Sequence, residues 1–153
     1  NNLSELRNLT NNVLQGEMKD SGITLSRFAI NTTVGVLGVW DPATRWELYE
    51  REEDFGQTLG SWGVGNGAYL VLPFFGPSSL RDTGGLVFDG SVKTSVDILG
   101  VSDKPEASLA LSALESVDIR KNTKFRYYET GTPFEYSLVR YAYLRMREVQ
   151  VDK

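Results

Sequence analysis

The residues that could do chemistry in this chain are few. Glu52, Glu53 and Asp54 could supply a carboxylate pair for general acid–base work. Glycoside hydrolysis, however, needs two carboxylates facing each other across a cleft, and adjacency in sequence does not provide that. A charged surface ahead of an uncharged segment explains the three acids, and that reading is taken. Ser78 and Ser79 lack every context that activates a serine: no Gly-x-Ser-x-Gly elbow, no Ser-x-x-Lys and no histidine base. Helix capping is their economical role. Gly63-Val64-Gly65-Asn66-Gly67 has the glycine content of a phosphate-cradling loop, but no Lys-Ser/Thr pair follows and no strand–turn–helix unit surrounds it. Tight turns and close helix approach use these glycines better. The chain has no Cys and no His, which excludes thiolate catalysis, His-based triads, disulfides and zinc sites. No catalytic residue, metal ligand or cofactor is assigned, and the protein is read as a non-enzyme.

What stands out instead is missing charge. From Gln57 to Leu80 there is no charged residue, with Arg51, Glu52, Glu53 and Asp54 before the stretch and Arg81 and Asp82 after it. Glycine, proline and aromatic residues break it throughout, so it is no transmembrane helix. Tyr and Trp favour places where one end of a side chain is apolar and the other wet. The segment reads as irregular backbone at a membrane interface. Arg81-Asp82 at its border reads as a structural anchor, an ion pair or a cap. A second uncharged stretch runs from Phe28 to Trp40, too short as a helix to cross a hydrocarbon core of ~30 Å. It contains Asn31-Thr32-Thr33, whose side chains can bond back to their own helix or across to a neighbour. Helix packing accounts for them; lining a polar seam in a lipid path is the sharper alternative. The candidate lipid-contacting residues come from these two stretches: Phe28, Asn31, Thr32, Val34, Leu37, Trp62, Tyr69, Leu72, Phe74 and Phe75.

Bulk properties agree. At 153 residues, 41% hydrophobic and 24% charged, the chain fits one folded domain, 1–153, rather than a disordered segment. A net charge of -4 without a basic cluster argues against nucleic acid and against electrostatic capture by anionic lipid. Membrane contact would have to be apolar.

The elements that position these residues read as helices. Leu3, Leu6, Leu9, Val13 and Leu14 fall near helical spacing, with Gly16 as a stop, and predict an amphipathic helix packed on a core. Leu25 to Trp40 reads as a helix apolar all round. Asp41-Pro42 opens a short charged helix through Glu50. Phe55, Leu59 and Trp62 share a face, and Tyr69 to Phe75 is extended or irregular. Ser79 with Asp82 forms a capping box for a helix from about Leu80 toward Leu99. Asp103-Pro105-Glu106 and Thr132-Pro133-Glu135 repeat the start signal. After the latter, Tyr136, Val139, Tyr143 and Met146 form a stripe, with Arg140, Arg145, Arg147 and Glu148 outward. The class expected is all-α.

The blocks Arg27 to Gly38, Asp54 to Gly60, Trp62 to Gly65, Leu72-Pro73-Phe74 and Gly76 to Asp82 resemble, in order and spacing, the MlaA/VacJ family of outer-membrane lipoproteins. The match extends over Arg27 to Gly84. It continues more loosely through Asp118 to Arg120 and a Tyr-rich C-terminal helix. The resemblance implies a compact, ring-like helical protein in the periplasmic leaflet of a Gram-negative outer membrane. It implies removal of mislocalised phospholipid from the outer leaflet, through an amphipathic channel, to a periplasmic lipid-carrier protein, with trimeric porins as partners of some members. The alternative is a porin-binding scaffold that moves no lipid itself; a lipid hydrolase ranks third. The family normally begins with a lipidated Cys and further helical sequence, so an N-terminally trimmed chain is expected.

An apolar mode of attachment has a salt signature. Binding to neutral vesicles should survive raised ionic strength, because the screened term is small. Release by salt in a flotation assay would show that the contact is electrostatic.

Overall fold

A computed structural model describes residues 2–36, 40–73, 75–95 and 134–152. Expectations for Leu37, Phe74, the start at Asp103, Asp118 to Arg120 and Thr132-Pro133 lie outside these residues. The described chain is mainly helical: α1 (Asn2–Gln15), α2 (Met18–Thr33), α3 (Pro42–Arg45), α4 (Phe55–Ser61), a hairpin of β1 (Tyr69–Leu72) and β2 (Gly76–Ser79), then α5 (Leu80–Ser95) and α6 (Glu135–Val151). The α1 helix packs on α2 and also touches α4 and α5; α6 lies against α4 and β2.

Local signals explain most boundaries. Gly16, at φ 79°, reverses the chain between α1 and α2 in the left-handed conformation that glycine adopts freely. The Asp41 carboxylate accepts the Thr44 amide (3.1 Å) and Pro42 takes the first turn of α3. That helix stops at Arg45 rather than reaching Glu50. The amides of Trp46 and Glu47 bond back to Ala43 and Thr44, and Glu47 at φ 63° turns the chain out of the helix. Ser79 Oγ accepts the Asp82 amide (3.1 Å) and opens α5, as a capping residue should. Tyr69 pairs with Ser79 and Leu72 with Gly76, so the extended reading of Tyr69 to Leu72 is a strand in an antiparallel hairpin. Two expectations shift. The α2 helix begins at Met18 and ends at Thr33 instead of spanning Leu25 to Trp40. The α6 helix opens behind Phe134, which makes no side-chain cap.

The largest departure is what lies inside. Among the described residues Ala43 is the buried hydrophobic one, whereas Glu5, Asn8, Asn11, Asn12, Thr24, Arg27, Asn31, Thr58 and Ser79 are fully buried. The leucine stripe expected to anchor α1 does not: Val13 and Leu14 are exposed, and the buried face is Glu5, Asn8, Asn11 and Asn12. Each of these finds partners. Asn8 accepts the Glu53 amide and donates to Glu50 (3.1 and 3.2 Å). Asn11 donates to Asp89 (3.0 Å) and accepts from Thr58 (2.9 Å). Asn12 donates to Thr24 (3.2 Å). Gln15 reaches Glu53 and Thr58. A hydrogen-bonded polar seam, in which Asn12 Oδ1 and Glu5 Oε2 stay unpaired, thus joins α1 to α2, α4 and α5, while Met18, Leu25, Trp40, Trp46, Val87, Leu138 and Val149 face outward.

The seam ends where α4 and α5 cross at backbone contact. A Cβ on Gly85 would lie 2.5 Å from the Gly56 nitrogen. Neighbouring Gly84 faces open space. Gly85→Ala should therefore destabilise by about 1–3 kcal/mol through overpacking, while Gly84→Ala should stabilise by about 0.4–1 kcal/mol through lost chain entropy. Melting temperatures in detergent that move in opposite directions would bear this out; equal shifts would refute it.

Candidate functional site

Arg147 sits on α6, one helical turn beyond Tyr143, and is buried rather than outward. Its guanidinium forks between two acids. Nη1 and Nη2 donate to Asp54 Oδ2 and Oδ1 (2.8 and 2.7 Å), while Nε and Nη2 donate to Asp82 Oδ2 and Oδ1 (3.0 and 2.8 Å). Nη1 also donates to Gln150 (3.0 Å). All five guanidinium donors are therefore used. The acids are fixed by local backbone. Asp54 caps α4 through the Gln57 amide (2.8 Å), and Asp82 lies in the first turn of α5, where a negative charge suits the helix N-terminus. The Tyr143 hydroxyl donates to Asp82 Oδ2 (2.7 Å), and Arg81 Nε to its Oδ1 (3.2 Å).

Charge states follow. Burial pushes the Asp82 carboxyl up, but Arg147 and Tyr143 outweigh it and hold its pKa at about 2. Asp54 is lowered in the same way, burial being overcome by Arg147. Burial and the bond to Asp82 push the Tyr143 hydroxyl well up. Asp89 moves the other way: its burial outweighs the bonds from Phe55 and Asn11, so its pKa rises.

These groups form one wall of a cavity of about 160 Å³. Asp54, Asp82, Asp89, Ser78, Tyr143 and Arg147 make the polar side; Leu72, Phe75, Pro77 and Leu86 make the apolar side. The space is close to that of an engineered cavity of about 150 Å³ that holds a benzene molecule, enough for the end of a lipid headgroup and not for acyl chains. A carboxylate held near pKa 2 is a poor proton acceptor at neutral pH, so the wall suits binding rather than acid–base work.

A second buried ion cluster ties α1, α2 and α3 together. Arg27 donates to Glu5 (2.7 Å), Asp41 (3.0 Å), Thr44 (3.1 Å) and the Leu48 carbonyl. Asn31 donates to Asp41 (3.1 Å) and accepts the Ala43 amide (3.2 Å). It lines no part of the cavity.

Of the sequence candidates, Leu72 and Phe75 line the cavity, and Tyr69 packs edge-on against Tyr143 with ring centroids 6.0 Å apart. Asn31 is buried in the Arg27 cluster; Thr32 bonds Phe28 O and Asn2 (2.6 and 2.9 Å). Phe28 is half-buried on α2 and Val34 is exposed beyond its end. Trp62 is exposed, meets the Phe55 ring edge-on at 5.9 Å and donates its Nε1 to Leu14 O. The Arg81-Asp82 ion pair and cap stand as expected, but Asp54, weighed only as a catalytic acid, and Asp82, Asp89, Tyr143 and Arg147 were not placed in a site. The available signal was the Tyr143–Arg147 spacing, which extends the α6 stripe by one turn.

The profile of the MlaA lipoprotein family matches residues 1–150. The chain is 41% identical over 92 residues to the Escherichia coli intermembrane phospholipid transport system lipoprotein MlaA, covering 58% of this chain and 37% of that one. It is 37% identical over 93 residues to the Haemophilus influenzae protein of the same name, at 60% and 37% coverage. A Rickettsia bellii protein matches at 32% identity over 128 residues, 82% of this chain and 49% of its own. The chain thus spans between 37% and 49% of the length of these relatives. Among solved structures it resembles a chain from work on the structural basis for maintenance of bacterial outer membrane lipid asymmetry, with TM-score 0.72 and 28% identity, covering 98% of this chain and 75% of that one.

The Arg147 fork makes a signed prediction. Arg147→Met strips half-buried Asp54 of its counter-ion and leaves buried Asp82 with Arg81 alone, and should cost about 3 kcal/mol at neutral pH. In the wild type, the depressed Asp82 contributes stability above its unfolded pKa, and this is lost as pH falls from about 4 toward 2. In the variant, burial and mutual repulsion raise both carboxyl pKa values, so acidification from about pH 7 to 5 should recover stability. Thermal unfolding across pH tests this; a variant with unchanged melting or the wild-type profile would contradict it.

Proposed function

This chain belongs to the MlaA lipoprotein family, and from that premise we propose that it passes phospholipid, chemically unaltered, from the outer membrane to a periplasmic lipid carrier. In this role it withdraws phospholipid that has strayed into the outer leaflet. The observation that carries the reading is the reversed polarity of the described residues: polar groups inside, large apolar side chains outside. In water the arrangement forfeits about 25 cal/mol for every Å² of apolar surface left uncovered. Against lipid that penalty vanishes, and the dominant requirement becomes that polar groups be paired internally. Most side chains of the seam from Asn8 to Arg147 meet that requirement, Asn12 Oδ1 being an exception.

Exposed Trp40, Trp46, Tyr49 and Trp62 suit the level of the lipid headgroups. No helix among the described residues is long and apolar enough to cross a membrane, which fits a position within one leaflet, the periplasmic one in this proposal. The amphipathic cavity then takes a headgroup against its polar wall, while the chains remain near the hydrocarbon beside Leu72 and Phe75. The remaining apolar surface would be covered by lipid or by a neighbouring membrane protein such as a trimeric porin. The scaffold alternative makes no use of the cavity.

Phe75 separates membrane function from folding. It is 43% exposed while lining the cavity, so it is no core residue. Phe75→Asp should leave thermal unfolding within about 1 kcal/mol of wild type yet abolish lipid export in a reconstituted assay. Tyr141→Asp on the outer face of α6 should impair export less. Lost folding, or unimpaired lipid movement, in the Phe75 variant would overturn the assignment.

A further inference from the structure

We propose that the cavity is a headgroup subsite for phospholipids bearing a primary ammonium, as in phosphatidylethanolamine, and that Asp89 is the acceptor that receives it. This rests on the lipid-passage reading and adds a substrate class to it.

Asp89 differs from the other acids of the wall. It is 8% exposed and lines the cavity from α5. Oδ1 accepts from Asn11 Nδ2 and Oδ2 from the Phe55 amide, each at 3.0 Å. Both donors are neutral, and no ion pair among the described residues reaches this carboxylate. Asp82, in contrast, takes bonds from Arg81, Tyr143 and Arg147, and Asp54 is held bidentately by Arg147. Among the described residues two guanidiniums contact these carboxylates, Arg147 in the wall and Arg81 behind Asp82. Arg7 attracts Asp89 without an ion-pair contact, so Asp89 is the wall's acid with no cation touching it. A buried charge without a partner is costly, and an arriving cation relieves that cost.

Geometry narrows the cation. An ionised carboxylate offers about four acceptor sites, and Asp89 uses two. A primary ammonium brings three donors that can take the rest, with Asp54 Oδ2, which accepts one bond, on the same wall. A quaternary ammonium brings none. An anionic headgroup fares worst: it meets the Asp89 carboxylate, and Arg147 has no donor left to give. Leu72, Phe75, Pro77 and Leu86 cover the methylenes that follow the ammonium, and the small volume leaves phosphate and glycerol at the mouth.

The test uses the purified full-length protein and mixed vesicles of phosphatidylethanolamine, phosphatidylcholine and phosphatidylglycerol with matched acyl chains, in equal parts. Protein-bound lipid is quantified by mass spectrometry. Phosphatidylethanolamine should be enriched about tenfold over each of the others, the scale of one hydrogen bond to a charged group. Asp89→Asn should bring the ratio near unity in the lipid that remains bound. Uptake of all three lipids without preference, or preference that survives in Asp89→Asn, sinks this inference and leaves lipid passage standing. No lipid uptake at all sinks the passage reading and this one with it. Displacement of bound lipid by millimolar free ethanolamine would assign the site to a soluble amine and overturn the headgroup claim. If Asp89→Asn fails to fold, the wild-type ratio alone decides.

Discussion

The described structure converges on one guanidinium. Arg147 joins α6 to the cap of α4 and the first turn of α5, three elements far apart in sequence. Bidentate charged hydrogen bonds are strong and directional, so the contact fixes orientation as well as proximity. The same residue is part of the polar wall of the cavity. One side chain therefore contributes both to the orientation of the helices and to the polarity of the cavity.

That centre continues into the Asn-rich seam and, beyond it, the Arg27 cluster. Such an interior would be a weak basis for stability in a water-soluble protein, where buried ion pairs tend to cost in desolvation about as much as they return. With lipid outside, the comparison changes. An unpaired polar group facing hydrocarbon is the worse alternative, and internal pairing becomes the favoured state. On the lipid-passage proposal, the apolar exterior and the polar interior are two sides of one choice of solvent.

Local signals in the sequence were readable because they depend on neighbouring residues. Asp41-Pro42, Ser79 with Asp82, Gly16 and the extended Tyr69 to Leu72 each acted as their chemistry dictates. The interior was not readable by the same means. A leucine stripe on α1 implies a buried face only when water lies outside, and Val13 and Leu14 are exposed instead. Arg147 looked solvent-facing because isolated arginine on a helix normally is, and its two acids lie 93 and 65 residues away. Leu72 and Phe75 were picked out from a lack of charge nearby, a signal that marks a region but does not say which wall a side chain joins. The acids of the cavity carry no such mark, because their roles exist only once α4, α5 and α6 meet.

The meeting of Gly56 with Gly85 gives that centre a mechanical property. A Cβ at Gly56 would collide with Asp82 Oδ1 and lie 2.7 Å from Arg147 Nη2. Main chain rests on main chain there, two residues from Asp54 and three from Asp82. The span between the two carboxylates is thus gauged by peptide planes instead of by rotatable side chains. It has the stiffness of a ruler, and the guanidinium is the one part cut to its length.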